Sequence, residues 1–400
     1  MKTIIIKVIF LLLTLSNFSS AQWVRMSNGI NWGYIYSLAS SGNYLFAGVA
    51  SNGVYRSTDN GISWTHLGGS ADGDKSLAAN GINIFAGGHY FIYKSTDYGT
   101  SWIQTSILTQ DIYALAVNGN NFFAGADYYG VYISTNNGSN WIQTSLNNMG
   151  VRSLAVNGNN VFAGTYLYGL YLSTNNGTSW SQTSLNNQSV YSLAINGNNV
   201  FAGTLNNGVY LSTNSGTNWT QTSLNNQSVY SLAINGNNVF AGTYQNGVYI
   251  SNDNGTSWTQ RNEGLGNFQV NALCISNNYI LAGTWGDTVY RRPLSELTGI
   301  KPISGQLPNR FVLEQNYPNP FNPSTKIKFS IPQPSPSERV GVRLVIYNIL
   351  GREAATLVNE QLKPGTYEVD WNASNFPSGV YFYKLITNGF VDTKKMMLVK

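Results

Sequence analysis

Residues 183–204 read TSLNNQSVYSLAINGNNVFAGT, and residues 222–243 repeat them without a change. Within this stretch VYSLAI and VFAGT are short runs rich in β-branched and aromatic residues, and the NGNN between them is a turn signal. Reading on adds VYLS at 209–212 and WTQTS at 219–223, so one unit holds four short strands: 190–195, 200–204, 209–212 and 219–223. An apolar run ending in FAG or LAG marks the same point of each unit, at Gly48, Gly87, Gly125, Gly164, Gly203, Gly242 and Gly283. The intervals between them are 39, 38, 39, 39, 39 and 41 residues. No segment from Trp23 onward keeps the apolar period of a helix, so little helix is expected.

Four strands per unit of about 40 residues is the pattern of a β-propeller blade, and seven units close a ring. The expected fold is therefore all-β, with a seven-bladed β-propeller over residues 22–292 and a small Ig-like β-sandwich after it. The last unit, from Val270, stops after its third strand, whereas QWVRMSNG at 22–29 matches the WTQTSLNN of a fourth strand. Residues 23–26 are predicted to complete that blade and hide two open sheet edges.

A second repeated element joins the third and fourth strands. Its six copies are STDNGISW from Ser57, STDYGTSW from Ser95, STNNGSNW from Ser134, STNNGTSW from Ser173, STNSGTNW from Ser212 and SNDNGTSW from Ser251. The third position, Asp59, Asp97, Asn136, Asn175, Asn214 or Asp253, offers an acceptor oxygen across a tight turn. The glycine two places on tolerates positive φ. Trp64, Trp102, Trp141, Trp180, Trp219 and Trp258 close the motif with rings expected between blades. Residues 23–292 thus resemble the Asp-box (BNR) repeat family, whose pattern is Ser-x-Asp-x-Gly-x-Thr/Ser-Trp. Asn in three copies keeps the acceptor but lacks the charge that Ca²⁺ favours. The octapeptide is read as scaffold, with no metal and no cofactor expected.

Only 10% of residues are charged, and the net charge of +5 is unevenly spread. Residues 23–292 carry eight Lys or Arg against nine Asp or Glu, while 293–400 carry a net of +4. The repeat region lacks the basic stripe that phosphate backbones require, which argues against nucleic acid. MKTIIIKVIFLLLTLSNFSSA at 1–21 has the layout of a secretory signal peptide, with Lys2 and Lys7 before an apolar stretch, then Ser19 and Ala21 before a cut at Gln22. No transmembrane segment is expected in the mature chain. The single cysteine, Cys274, excludes internal disulfides and falls where neighbouring units have Ala194 and Ala233, so it is read as a core residue.

All eleven prolines lie between Pro293 and Pro377, which sets the boundary of the repeat region. Residues 293–310 are read as a linker and 311–400 as a compact antiparallel sandwich. YPNPFNP at 317–323 and the terminal KKMMLVK closely resemble the type A C-terminal sorting domain of the type IX secretion system. That resemblance implies that the secretion machinery is a partner of residues 311–400. It also implies export through the periplasm to the outer-membrane surface or the medium of a Bacteroidota-like cell.

Asp-box propellers include sialidases and xyloglucan-cleaving glycosidases, and glycoside hydrolysis needs two convergent carboxylates. With Asp59, Asp97 and Asp253 used in turns, Asp72, Asp74, Asp111, Asp127, Glu263 and Asp287 remain. A pair such as Asp127 with Asp287 defines the glycosidase alternative. His66 and His89 stand in no metal-ligand spacing. Photosystem stability factors share such propellers, but surface export makes that analogy poor. Near-identical repeats offer like groups in a ring, whereas catalysis needs unlike groups at one bond. A non-enzymatic propeller binding a glycan or protein ligand is the favoured reading. The loops between second and third strands differ from unit to unit, and they place His89, Tyr128, Tyr166, Tyr244 and Trp285 on one rim, with Arg152 and Lys75 nearby. Some of these rings are expected to pack between blades instead.

Overall fold

The computed structural model describes residues 22–30, 33–68, 75–107, 111–297, 300–304, 307–332, 340–373, 376–387 and 389–400. The signal-like segment, Asp72 and Asp74 lie outside them. Among the described residues the regular elements are strands, apart from one three-residue 3-10 turn at Leu294–Glu296.

Seven antiparallel four-stranded sheets come first. The repeat quoted above begins blade 5, whose strands are Val190–Asn196, Asn199–Thr204, Val209–Ser212 and Thr220–Gln221. Blades 1 to 6 each use four consecutive strands. Blade 7 uses Val270–Ser276, Tyr279–Thr284 and Val289–Pro293, and its fourth strand is Val24–Met26, with Val24 opposite Arg291. The first strands pack one against the next around the ring, and that of blade 7 meets Ile35–Ser41 of blade 1. The sheets form a closed β-propeller.

The recurring FAG has a packing cause. Phe201 and Ala202 are fully buried, and a Cβ on Gly203 would stand 2.6 Å from Cγ1 of Val229 in the next blade. The same approach joins Gly87 to Ile112, Gly125 to Val151, Gly164 to Val190, Gly242 to Val270 and Gly283 to Ile35. Blades 1 and 3 to 7 thus each seat a β-branched side chain of the inner strand on bare backbone of the previous blade. No other residue type leaves that space open.

The octapeptides are a second inter-blade joint. In blade 1 the Asp59 carboxylate accepts from the Ser63 amide (2.9 Å) and the Ser63 hydroxyl (2.5 Å), while Ser57 Oγ accepts from the Gly61 amide (2.8 Å). In blade 4 Asn175 Oδ1 accepts the Ser179 amide at 2.9 Å, so the amide serves as well as the acid. Gly216 has φ +87°, and a Cβ there would lie 2.5 Å from Phe162 of the preceding blade. Trp64, Trp180, Trp219 and Trp258 donate their indole N–H to the carbonyl of the octapeptide glycine at 3.1 Å.

Two further four-stranded sheets face each other around Phe329, Leu344, Tyr383 and Trp371. The segment expected as a linker is not one throughout. Leu294 and Leu297 pack into the blade 7 core. Ile300–Ser304 is an edge strand of the sandwich, paired with Gly365–Asn372. Its proline hid it from the sequence reading, and an edge strand tolerates the missing donor of Pro302 because only one side is paired.

Candidate functional site: the mouth of the ring

The inner strands share a defect in register. In blades 1, 3, 4, 5, 6 and 7 the ladder to the second strand shifts between Ile35 and Ser37, Ile112 and Ala114, Val151 and Ser153, Val190 and Ser192, Val229 and Ser231, and Val270 and Ala272. The residue passed over is Tyr36, Tyr113, Arg152, Tyr191, Tyr230 or Asn271. Lys75 stands at the same place in blade 2, directly before Ser76–Asn80. A bulge frees one residue from the ladder and re-aims its side chain. Here the β-branched residue before each bulge is fully buried against the previous blade's glycine, so the bulged residue turns toward the centre.

These side chains meet there. The Arg152 guanidinium lies 3.8 Å over the ring of Tyr113 and 5.6 Å from that of Tyr166. Lys75 Nζ is 4.7 Å from the Tyr113 ring. Tyr191 stacks on Tyr230 at 5.3 Å, and Tyr230 meets Tyr244 at 5.5 Å. Trp285 contacts Tyr34 (4.4 Å) and Tyr36 (5.8 Å). The loops between second and third strands join this face by backbone bonds to the residues that enter each blade. The Tyr166 amide donates to the Gly150 carbonyl at 2.8 Å and that of Trp285 to Gln269 at 3.0 Å. The octapeptides bond instead to the turns between first and second strands, as from Asn176 to Asn159 at 3.0 Å, and so open on the opposite face.

Two acids anchor the cations. Asp127 accepts from Arg152 at 2.9 Å. Asp111 accepts from Lys75 and from Nδ1 of His89, and Tyr113 donates to it at 3.3 Å. Burial works against the charge of Asp111, but the hydrogen bond and charge of Lys75, with those of His89, outweigh it and hold the carboxyl below its ordinary value. Burial likewise disfavours charge on Lys75, and Asp111 overcomes it, so the ammonium persists. Burial raises the Tyr191 hydroxyl, with Arg152 opposing.

Of the residues singled out in the sequence, His89, Arg152, Tyr166, Tyr244 and Trp285 come together at the mouth, whereas Tyr128 stands on a loop tip, 65% exposed. Sequence reading passed over Tyr36, Tyr113, Tyr191, Tyr230 and Asn271. Their signal was the variable second place in V-x-S-L-A, set among residues that hardly change. Asp127 and Asp287 are not brought to one point. Asp127 is bound to the inner strand of blade 4, and Asp287 to Arg25 (2.8 Å) on the outermost strand of blade 7 and to Tyr290. Glu263 is held by Arg292 at 2.8 Å. Among the described residues no group of three His, Cys, Asp or Glu is placed to hold a metal ion.

The sandwich decides where the propeller goes. Residues 315–400 match the family model described as secretion system C-terminal sorting domain. The chain therefore carries a type IX sorting domain. This sorting domain directs export to the cell surface or into the medium. Among the described residues no helix is long and apolar enough to cross a membrane. No curated protein matches the chain in sequence. In fold it is similar to PorZ of Porphyromonas gingivalis, an essential bacterial surface component of the type-IX secretion system, at 16% identity and TM-score 0.53, over 92% of this chain and 60% of PorZ. It is also similar to the Niastella koreensis GH74 enzyme (20% identity, TM-score 0.54), over 66% of this chain and 43% of that one. YCF48 from Cyanidioschyzon merolae is matched along 100% of its own length and 69% of this chain, at 12% identity and TM-score 0.56. At these identities the likeness is one of fold.

Proposed function

We propose that this exported propeller is a non-enzymatic binding module that takes a glycan at the mouth of the ring. The observation that carries the reading is the set of bulges, which turns unlike aromatic, cationic and amide side chains from successive blades onto one face of the ring. Sugar recognition asks for ring faces together with fixed polar groups, and Tyr191, Tyr230 and Trp285 beside Arg152, Lys75 and Asn271 supply both. Turnover is disfavoured because hydrolysis needs a protonated carboxylic acid opposite a second carboxylate. Asp111 is held in its charged form, and Asp127 is bound to Arg152.

The test is to incubate the full chain with an array of immobilised and soluble polysaccharides and to measure retention and new reducing ends together. Retention without new ends is expected, and a Tyr191→Ala, Tyr230→Ala variant should bind roughly tenfold more weakly, about 1.4 kcal/mol. New reducing ends would move the chain to the glycosidase class, and no retention on any glycan would remove the reading.

A further inference from the structure

We infer that the glycan at the mouth is bound as an extended chain, with two aromatic clusters holding different sugars of one internal stretch. This inference rests on the glycan reading and adds the length of chain that the site recognises. The first cluster belongs to blades 5 and 6. Tyr230 contacts both Tyr191 and Tyr244, with ring centres 5.3 and 5.5 Å away. The second joins blades 7 and 1, where the Trp285 ring lies 4.4 Å from Tyr34 and 5.8 Å from Tyr36. Each cluster runs from a rim residue more than a third exposed, Tyr244 at 40% or Trp285 at 37%, to half-buried rings on or beside an inner strand.

The clusters are separate. The inner strand of blade 7 stands between those that carry Tyr230 and Tyr36, and stacked sheets lie about 10 Å apart. Burial raises both hydroxyls, but the neighbours that act on them differ. Tyr36 interacts with Lys75, Tyr113 and Tyr34, whereas Tyr230 interacts with Tyr191 and Tyr244. One sugar ring therefore does not cover both clusters.

A polar residue links them across blade 7. Asn271, half-buried at the bulge of that blade, donates Nδ2 to the Ile35 carbonyl of blade 1 at 3.3 Å. Its Oδ1 accepts from Gln269 at 3.4 Å. A side-chain amide has two N–H groups and two lone pairs, so one of each remains for sugar hydroxyls. A terminal sugar uses one cluster and leaves the other idle. A chain crossing blade 7 uses both, with an intervening sugar over Asn271. Because its two contacts are linked, such a chain binds more tightly than either part of it alone.

Calorimetric titration of the full chain with partial-hydrolysis fragments of each retained polysaccharide, from the single sugar upward, tests it. Affinity should rise about tenfold or more from the shortest to the longest fragment, with one long fragment bound per protein. Tyr230→Ala and Trp285→Ala, one in each cluster, should each return the long fragment to the affinity of a short one. A single sugar that binds as tightly as the longest fragment overturns the inference and leaves glycan binding intact. Two short fragments per protein with no gain from length do the same, and so does a long fragment that binds Trp285→Ala unchanged. Should Trp285→Ala fail to fold, Trp285→Leu takes its place under the same criteria. Failure to retain any polysaccharide removes the glycan reading and this inference with it.

Discussion

A methyl group on Gly283 would overlap Ile35, so the last blade meets the first through the contact that joins neighbours elsewhere in the ring. Closure therefore needs no special clasp in the inner layer. In the outer layer it does, because the fourth strand of blade 7 arrives from the other end of the chain as Val24–Met26.

Gly203→Ala tests the inner joint. Its methyl would meet Ser192 Oγ in the same blade as well as Val229 Cγ1 at 2.6 Å in the next, and overpacking of this kind costs about 1–3 kcal/mol. Adding Val229→Ala should recover part of that loss, so the double variant should be more stable than the two single effects summed. Additive losses in urea titrations would show that the two residues do not share the joint.

The outer clasp rests on Trp23, which is 1% exposed and donates its indole N–H to the Arg261 carbonyl at 2.7 Å. Trp23→Ala should cost about 3–5 kcal/mol. It should also promote aggregation through the edge at Val289–Pro293. Arg25→Ala removes only an exposed pair with Asp287 and should stay within about 1 kcal/mol. Equal melting temperatures for the two variants would contradict the clasp.

Acid should distinguish the Asp and Asn octapeptides. The Ser101 hydroxyl and amide, with Ser95, lower the Asp97 carboxyl from 3.8 to about 2. A folded value below the unfolded one means that the stabilisation is complete above pH 3.8 and is lost as pH falls toward about 2. Asp97→Asn keeps the acceptor oxygen, as Asn175 does, and should flatten that part of the acid limb in urea midpoints. An unchanged limb would trace the pH dependence to other groups.

Cys274 is buried, and burial pushes its thiol up to about 11. A maleimide at neutral pH should leave the native chain unmodified and label it only after unfolding, since the thiolate is the reactive form. Mass spectrometry reads the result directly, and fast native labelling would place this thiol at a surface.

Removing the chain after Leu297 should leave a propeller that melts cooperatively but is no longer exported. Leu294 and Leu297 stay with blade 7, while Ile300–Ser304 leaves with its sandwich sheet. Fractionation of cells and medium checks the second half. Continued export of the shortened chain would locate the sorting signal elsewhere.

Tyr191 and Tyr230 show where sequence reading stops. They are identical residues in identical repeats, and repetition made them look like scaffold. A bulge is a relation between two strands, with no residue type of its own, so its position emerges only when the ladder is laid out. Tyr128 and Tyr166 make the converse case. Both are tyrosines in equivalent loops, yet one is a strained tip and the other borders Arg152, because they sit one residue apart in the loop.

The period of the ring is written in the chain itself. A glycine every 39 residues or so, an Asp or Asn turn between strands, and a fourth strand left over at the start specify blades and their closure, because each is a local requirement of backbone conformation or close approach. The chemistry of the mouth arises only on folding. Which variable side chains face the centre, which acids are already paired with a cation, and where the sandwich begins depend on register and on neighbours more than 20 residues away, as for His89 with Asp111 and Arg152 with Asp127.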